Sequence, residues 1–139
     1  MKPNYIYYGT KCDAKELEKF LAYTLQTNQE SEKKGKLKTP LCIWGEHGIG
    51  KTESVQKFAQ KNGYKWAYIA PAQFEEMGDL TGMPRIEKDK NGKERTVLAI
   101  PEWVPQEEGP GILLIDDVNR ADDRILRGMT NSALWCNKK

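Results

Sequence analysis

The chain has 139 residues, a net charge of +2, 30% charged and 38% hydrophobic residues, which fits one domain with a lean, polar core and demands neither nucleic acid nor a membrane surface as a partner. Its three cysteines, Cys12, Cys42 and Cys136, are far apart and form no CxxC pair, so they point to neither a disulfide framework nor a zinc site. The longest apolar runs, "LCIW" and "ILLI", are too short to span a bilayer, and the start "MKPNYIYYGT" lacks an apolar signal region, so the expected setting is cytoplasmic.

In chain order, Asp13 is a cap for a helix to about Gln26, with Leu17, Phe20, Leu21 and Leu25 on one face. The lysine-rich stretch from Thr27 to Pro40 reads as a solvated connector. "LCIW", Leu41 to Trp44, reads as a buried strand. A helix is expected from near Gly50 to about Asn62, with Val55, Phe58 and Ala59 inward and Gly63 at its stop. "YKWAYIA", Tyr64 to Ala70, reads as a second strand, and a helical turn is expected around Phe74 to Met77. Asn91-Gly92 signals a hairpin, both residues tolerating the positive φ of a tight turn; the inserted hairpin spans about 85–100. Ile112 to Ile115 reads as a third buried strand. Asp122 or Asp123 is a cap for a last helix with Ile125, Leu126, Met129 and Leu134 as its apolar positions. Strands near 42–44, 65–70 and 112–115, alternating with helices, predict an α/β parallel sheet. The organisation expected is an N-terminal helix and connector over 1–40 and a core over 41–139.

Gly45-Glu46-His47-Gly48-Ile49-Gly50-Lys51-Thr52 matches G-x-x-x-x-G-K-[ST] in full. Its glycines permit a loop whose amides converge on an anion, and the helix that follows adds its positive end. Lys51 is expected to reach the β- and γ-phosphates of ATP, and the Thr52 hydroxyl to hold Mg²⁺. Glu46, His47 and Ile49 fill the variable slots, and the cofactor-binding stretch is taken through Glu53. His47, the only histidine, is expected to supply a backbone amide alone. Ile112 to Asp117 has the form of a Walker B strand, which delivers carboxylates at the C-terminal end of a parallel strand. Asp116 is expected to steady Mg²⁺, and Asp117 to polarise the attacking water as catalytic base.

"WGEHGIGKTES", "GDLTGMPR", "IPEWVP" and "GILLIDDVNRAD" occur in the order seen in MoxR-like AAA+ ATPases, close to the dynein-related group, and the resemblance covers roughly Leu41 to Leu134. It implies a three-layer P-loop NTPase fold and a homo-oligomeric ring that turns Mg·ATP hydrolysis into remodelling of a protein partner. In that family the second acid is usually glutamate; here it is Asp117, one methylene shorter. Asn119 and Arg120 match the pattern, whereas Arg124 and Arg127 do not match the finger position. The family's sensor strand, arginine finger and helical lid have no counterpart in the sequence, so the core is read as partial. In the AAA+ sheet that sensor strand separates the two Walker strands. A fragment of a longer protein, a substitute strand near Tyr5-Ile6-Tyr7, or direct pairing of the Walker strands are the three resolutions, of which we take the first. Tyr5, Tyr7 and Tyr8 are candidates for stacking on adenine. A nucleotide-responsive binding module with little turnover is the alternative function, and a small phosphoryl-transfer kinase ranks behind it. Nucleic-acid remodelling has little support from the +2 charge.

Overall fold

The computed structural model describes residues 9–129. The expectations for Tyr5, Ile6, Tyr7, Tyr8, Leu134 and Cys136 lie outside the described residues. The chain divides into two compact units between Asn62 and Gly63.

In the first unit, α1 (Ala14–Lys33) starts at Asp13 in a capping box. The Asp13 carboxylate accepts from the Glu16 N–H, and the Glu16 carboxylate accepts from the Asp13 N–H, both at 2.8 Å. The expected end at Gln26 is corrected by seven residues. "TNQESEK" contains no glycine or proline, and its Gln, Glu and Lys lose little side-chain freedom in a solvated helix. The helix closes in a Schellman motif at Gly35: Lys36 N–H donates to Ser31 O at 2.8 Å and Gly35 N–H to Glu32 O at 3.0 Å. The connector then returns along the helix. Asn28 donates to the Thr39 carbonyl and accepts from the Thr39 N–H, both at 2.8 Å. α2 (Lys51–Lys61) packs with α1 and buries Val55, Phe58 and Ala59, the three residues its pattern specified.

The expected strand at 41–44 does not form. Residues 41–46 have no regular structure, Trp44 is 85% exposed, and Cys42 is exposed. A strand exists only as part of a ladder, because its N–H and C=O groups must be paired. Among the described residues no strand pairs with 41–44. Apolar character alone does not make this segment extended and buried.

In the second unit, β1 (Lys65–Ile69) and β4 (Gly111–Ile115) form a parallel two-stranded ladder, with Ala67 opposite Leu113 and Ile69 opposite Ile115. Ala67 and Ile69 are buried, whereas Ile112 to Ile115 are only half-buried, so the expected full burial of the last strand is corrected: a two-stranded ladder covers little of its own surface. β1 leads through a 3₁₀ turn, Pro71–Gln73, to α3 (Met77–Thr81), which places helical structure on both sides of the Phe74–Glu76 region rather than in it. α3 packs on α4 (Asp123–Met129), where Leu80 and Ile125 are almost fully buried. Asp122 is the cap of α4: its carboxylate accepts from the Arg124 N–H at 2.8 Å and its carbonyl from the Leu126 N–H at 3.0 Å. β2 (Pro84–Lys88) and β3 (Glu94–Leu98) make the expected hairpin. Its turn differs from the expected one: Gly92 has φ 77°, but Asn91 is not in the left-handed region. The Asp89 carboxylate accepts from the N–H groups of Asn91 and Lys93, at 2.8 and 3.0 Å, and Gly92 N–H donates to Asp89 O. That network selects a three-residue loop with one left-handed glycine.

Candidate functional site

The glycine-rich loop leads directly into α2. Gly48 has φ 77° and Gly50 has φ 86°, a region that costs an ordinary L-residue about 1–2 kcal/mol. Gly50 is also the N-cap of α2 and offers no capping side chain. No side chain of the N-cap residue covers the first turn, and that turn carries the positive end of the helix dipole. The Lys51 ammonium folds back over the loop and donates to Gly45 O at 2.9 Å and Glu46 O at 2.7 Å. It straps the loop closed from inside. Thr52 is half-buried in the first turn. Glu46, His47 and Ile49 all face water. Glu53 is exposed and pairs with Lys57 one turn on, at 2.7 Å; the hydrogen bond from Lys57, aided by its charge, holds the Glu53 carboxyl below its ordinary value.

The two aspartates lie in the second unit, at the C-terminal end of β4. Asp116 N–H donates to Ile69 O at 2.9 Å, so the ladder continues to the residue that carries the first carboxylate. Side chains alternate along a strand. Leu114 stands opposite Tyr68 in the parallel register, so Asp116, two residues further on, emerges on the same face as Tyr68. The Tyr68 hydroxyl donates to Asp116 Oδ2 at 3.0 Å, and the Asp117 N–H donates to Asp116 Oδ1 at 3.0 Å. Tyr68 was missed in the sequence. The signal that finds it is an aromatic residue with a polar tip near the end of the strand that neighbours the Walker B strand, and strand order is not written in one chain's pattern. Partial burial, then the hydrogen bond to Asp116, raises the Tyr68 hydroxyl above its ordinary value.

Asp117 has φ 47° and ψ 36°, the one non-glycine residue at positive φ among those described. It starts the 3₁₀ turn Val118–Arg120, where Arg120 N–H donates to Asp117 O. Aspartate is one of the few side chains that tolerate this conformation. Asn119 and Arg120 are exposed. Arg124 pairs with Asp122 at 3.3 Å, and the two arginines of α4 line a cavity of about 260 Å³ with Glu75, Met77 and Ile125. None of the expected nucleotide residues lines it.

"GDLTGMPR" and "IPEWVP" prove to be one structural joint. Asp79 Oδ2 accepts from the N–H groups of Glu75 and Glu76, both at 3.0 Å, which starts α3. Gly82 ends it, and the Trp103 indole N–H donates to Asp79 O at 3.2 Å.

The donor chemistry fits a magnesium nucleotide in each half taken by itself. A hydroxyl and a carboxylate are hard oxygen donors, and Mg²⁺ is usually held by one or two such groups together with phosphate oxygens, not by an all-protein cage. Among the described residues no three His, Cys, Asp or Glu side chains gather as such a cage. No described helix is long and apolar enough to cross a membrane.

A parallel α/β ladder ending in a carboxylate, and a glycine-bent loop opening a helix with its lysine, define a nucleotide-binding module of the P-loop class. The profile of the AAA domain, dynein-related subfamily, matches residues 40–133, and the chain belongs to that family. No curated protein and no solved structure matches it. Membership bears out the α/β P-loop class and the resemblance carried by the four sequence motifs.

Proposed function

We propose that this chain is the ATP-binding core of a MoxR-like AAA+ ATPase. Gly45 to Thr52 takes the phosphates, with the loop amides and the start of α2 facing their oxygens, and Lys51 transfers its ammonium from the loop carbonyls to the β- and γ-phosphates. Thr52 and Asp116 are the residues that hold Mg²⁺, which when bound neutralises charge on the phosphate oxygens. Asp117 orients the attacking water and accepts its proton. The change of nucleotide state moves a protein partner, within a ring of like subunits. The observation that supports this reading above the others is the strapped loop: Lys51 on Gly45 O and Glu46 O, behind a left-handed Gly50 that opens α2. Equilibrium binding of ATP before and after Lys51→Ala tests it. Equal affinity in the two proteins would overturn the assignment.

The second reading is a nucleotide-responsive binding module with little turnover. Asp117 favours it, being both shorter than the family's usual glutamate and held in the left-handed region. A displacement of about 1 Å can cost a hundredfold in rate. Steady-state phosphate release by the purified chain separates the two readings, since repeated turnover eliminates the second.

A further inference from the structure

We propose that Tyr68 is a positioning residue for Asp116, setting the direction in which its carboxylate meets a divalent cation. The inference rests on the reading of Asp116 as a magnesium-holding residue and names what aims it.

The terminal torsion of an aspartate is soft. The adjacent Asp117 N–H donates to Oδ1 and gives one fixed point from the same stretch of chain. The Tyr68 hydroxyl supplies a second fixed point on the other oxygen, at 3.0 Å. Tyr68 reaches Asp116 from the neighbouring strand, 48 residues away in sequence, and the two strands are locked in register by the β1–β4 ladder. With a donor on both oxygens, the plane of the carboxylate is defined, and an ionised carboxylate offers about four lone-pair sites in all. Nor is the ring of Tyr68 a core element. It is 43% exposed, in a strand whose residues on either side, Ala67 and Ile69, are buried. Burial selects those neighbours, whereas the hydroxyl's contact with Asp116 distinguishes Tyr68. Groups that orient metal-holding side chains in this way typically account for 10–100-fold in metal affinity.

The test uses the full 139-residue chain, a fluorescent ATP analogue and Mg²⁺ as probes, and the variants Tyr68→Phe and Asp116→Ala. Tyr68→Phe keeps the ring and removes the donor. The expected result is that apparent Mg²⁺ affinity of the analogue complex falls about tenfold, while affinity for the analogue in EDTA and the unfolding midpoint stay at wild-type values. Unchanged Mg²⁺ affinity in Tyr68→Phe, with Asp116→Ala abolishing the Mg²⁺ response, overturns the positioning role and leaves the Asp116 reading standing. Equal losses with and without Mg²⁺ also overturn it, because they mark a structural role. A Mg²⁺ response that survives Asp116→Ala overturns both.

Discussion

The Lys51 ammonium lies 2.7 Å from the carbonyl oxygen of Glu46, inside the same loop it is expected to serve. An entering phosphate takes that ammonium from two neutral acceptors, and an ion pair with hydrogen bonds is stronger than a bond to a neutral carbonyl. Lys51→Ala removes strap and charge together. We expect ATP affinity to fall at least tenfold, about 1.4 kcal/mol, in equilibrium titration. The unfolding midpoint is expected to fall by several degrees at most, since two solvent-reachable hydrogen bonds contribute no more than about 1 kcal/mol each, so the titration is run well below it.

Asp117 combines a proposed chemical role with a backbone conformation that few side chains accept, φ 47° and ψ 36°. Asn tolerates this region as Asp does, while Glu bears more of the usual penalty. Asp117→Asn is therefore expected to keep its unfolding midpoint and to lose phosphate release by about 10²-fold or more. Asp117→Glu restores the family's usual residue yet is expected to cost about 1 kcal/mol of stability. Thermal melts and phosphate-release assays on the two variants separate strain from chemistry.

The helices and the loop were legible because their signals are local. Val55, Phe58 and Ala59 repeat with the helical period, and they are buried as that period requires. Asp13 with Glu16 is a capping box readable from spacing alone. The motif from Gly45 to Thr52 fixes each residue by a nearby chemical need. What failed depends on neighbours distant in sequence. "LCIW" has strand composition but no ladder, and Tyr68 gains its contact only because β1 lies beside β4. The end of α1 is hidden for another reason: "TNQESEK" is polar all round, and a solvated helix shares that composition with an irregular connector.

The Glu53 carboxyl, held below its ordinary value by Lys57, supplies a pH dependence. A depressed carboxyl contributes stability above its unfolded pKa and loses that contribution as the pH falls through the folded one. Both side chains are well exposed, so the global effect is expected to be slight. The local one is measurable. Side-chain carboxyl NMR is expected to show Glu53 titrating at lower pH than an ordinary glutamate, and Lys57→Ala to move it back up. An unchanged titration in Lys57→Ala removes the ion pair as the cause.

Gly82 is required for two separable reasons. Its φ of 88° and ψ of 162° lie in a region that is essentially glycine-only. A β-carbon there would also collide with the Ala99 carbonyl oxygen and press on Pro101 Cδ. The same stretch forms the root of the hairpin, where Ala99 N–H donates to Met83 O at 2.8 Å. Gly92, at the hairpin tip, has φ 77° but open space around the added atom, so Gly92→Ala reports the backbone penalty alone, about 1–2 kcal/mol. Gly82→Ala adds a backbone clash that no flexible side chain can relieve. It is expected to lower the unfolding midpoint by clearly more than Gly92→Ala and to speed hydrogen exchange at the Ala99 amide, which Gly92→Ala leaves protected. Equal effects of the two substitutions would mean that the joint between α3 and the hairpin yields without loss, and that Gly82 is needed for its torsion angles alone.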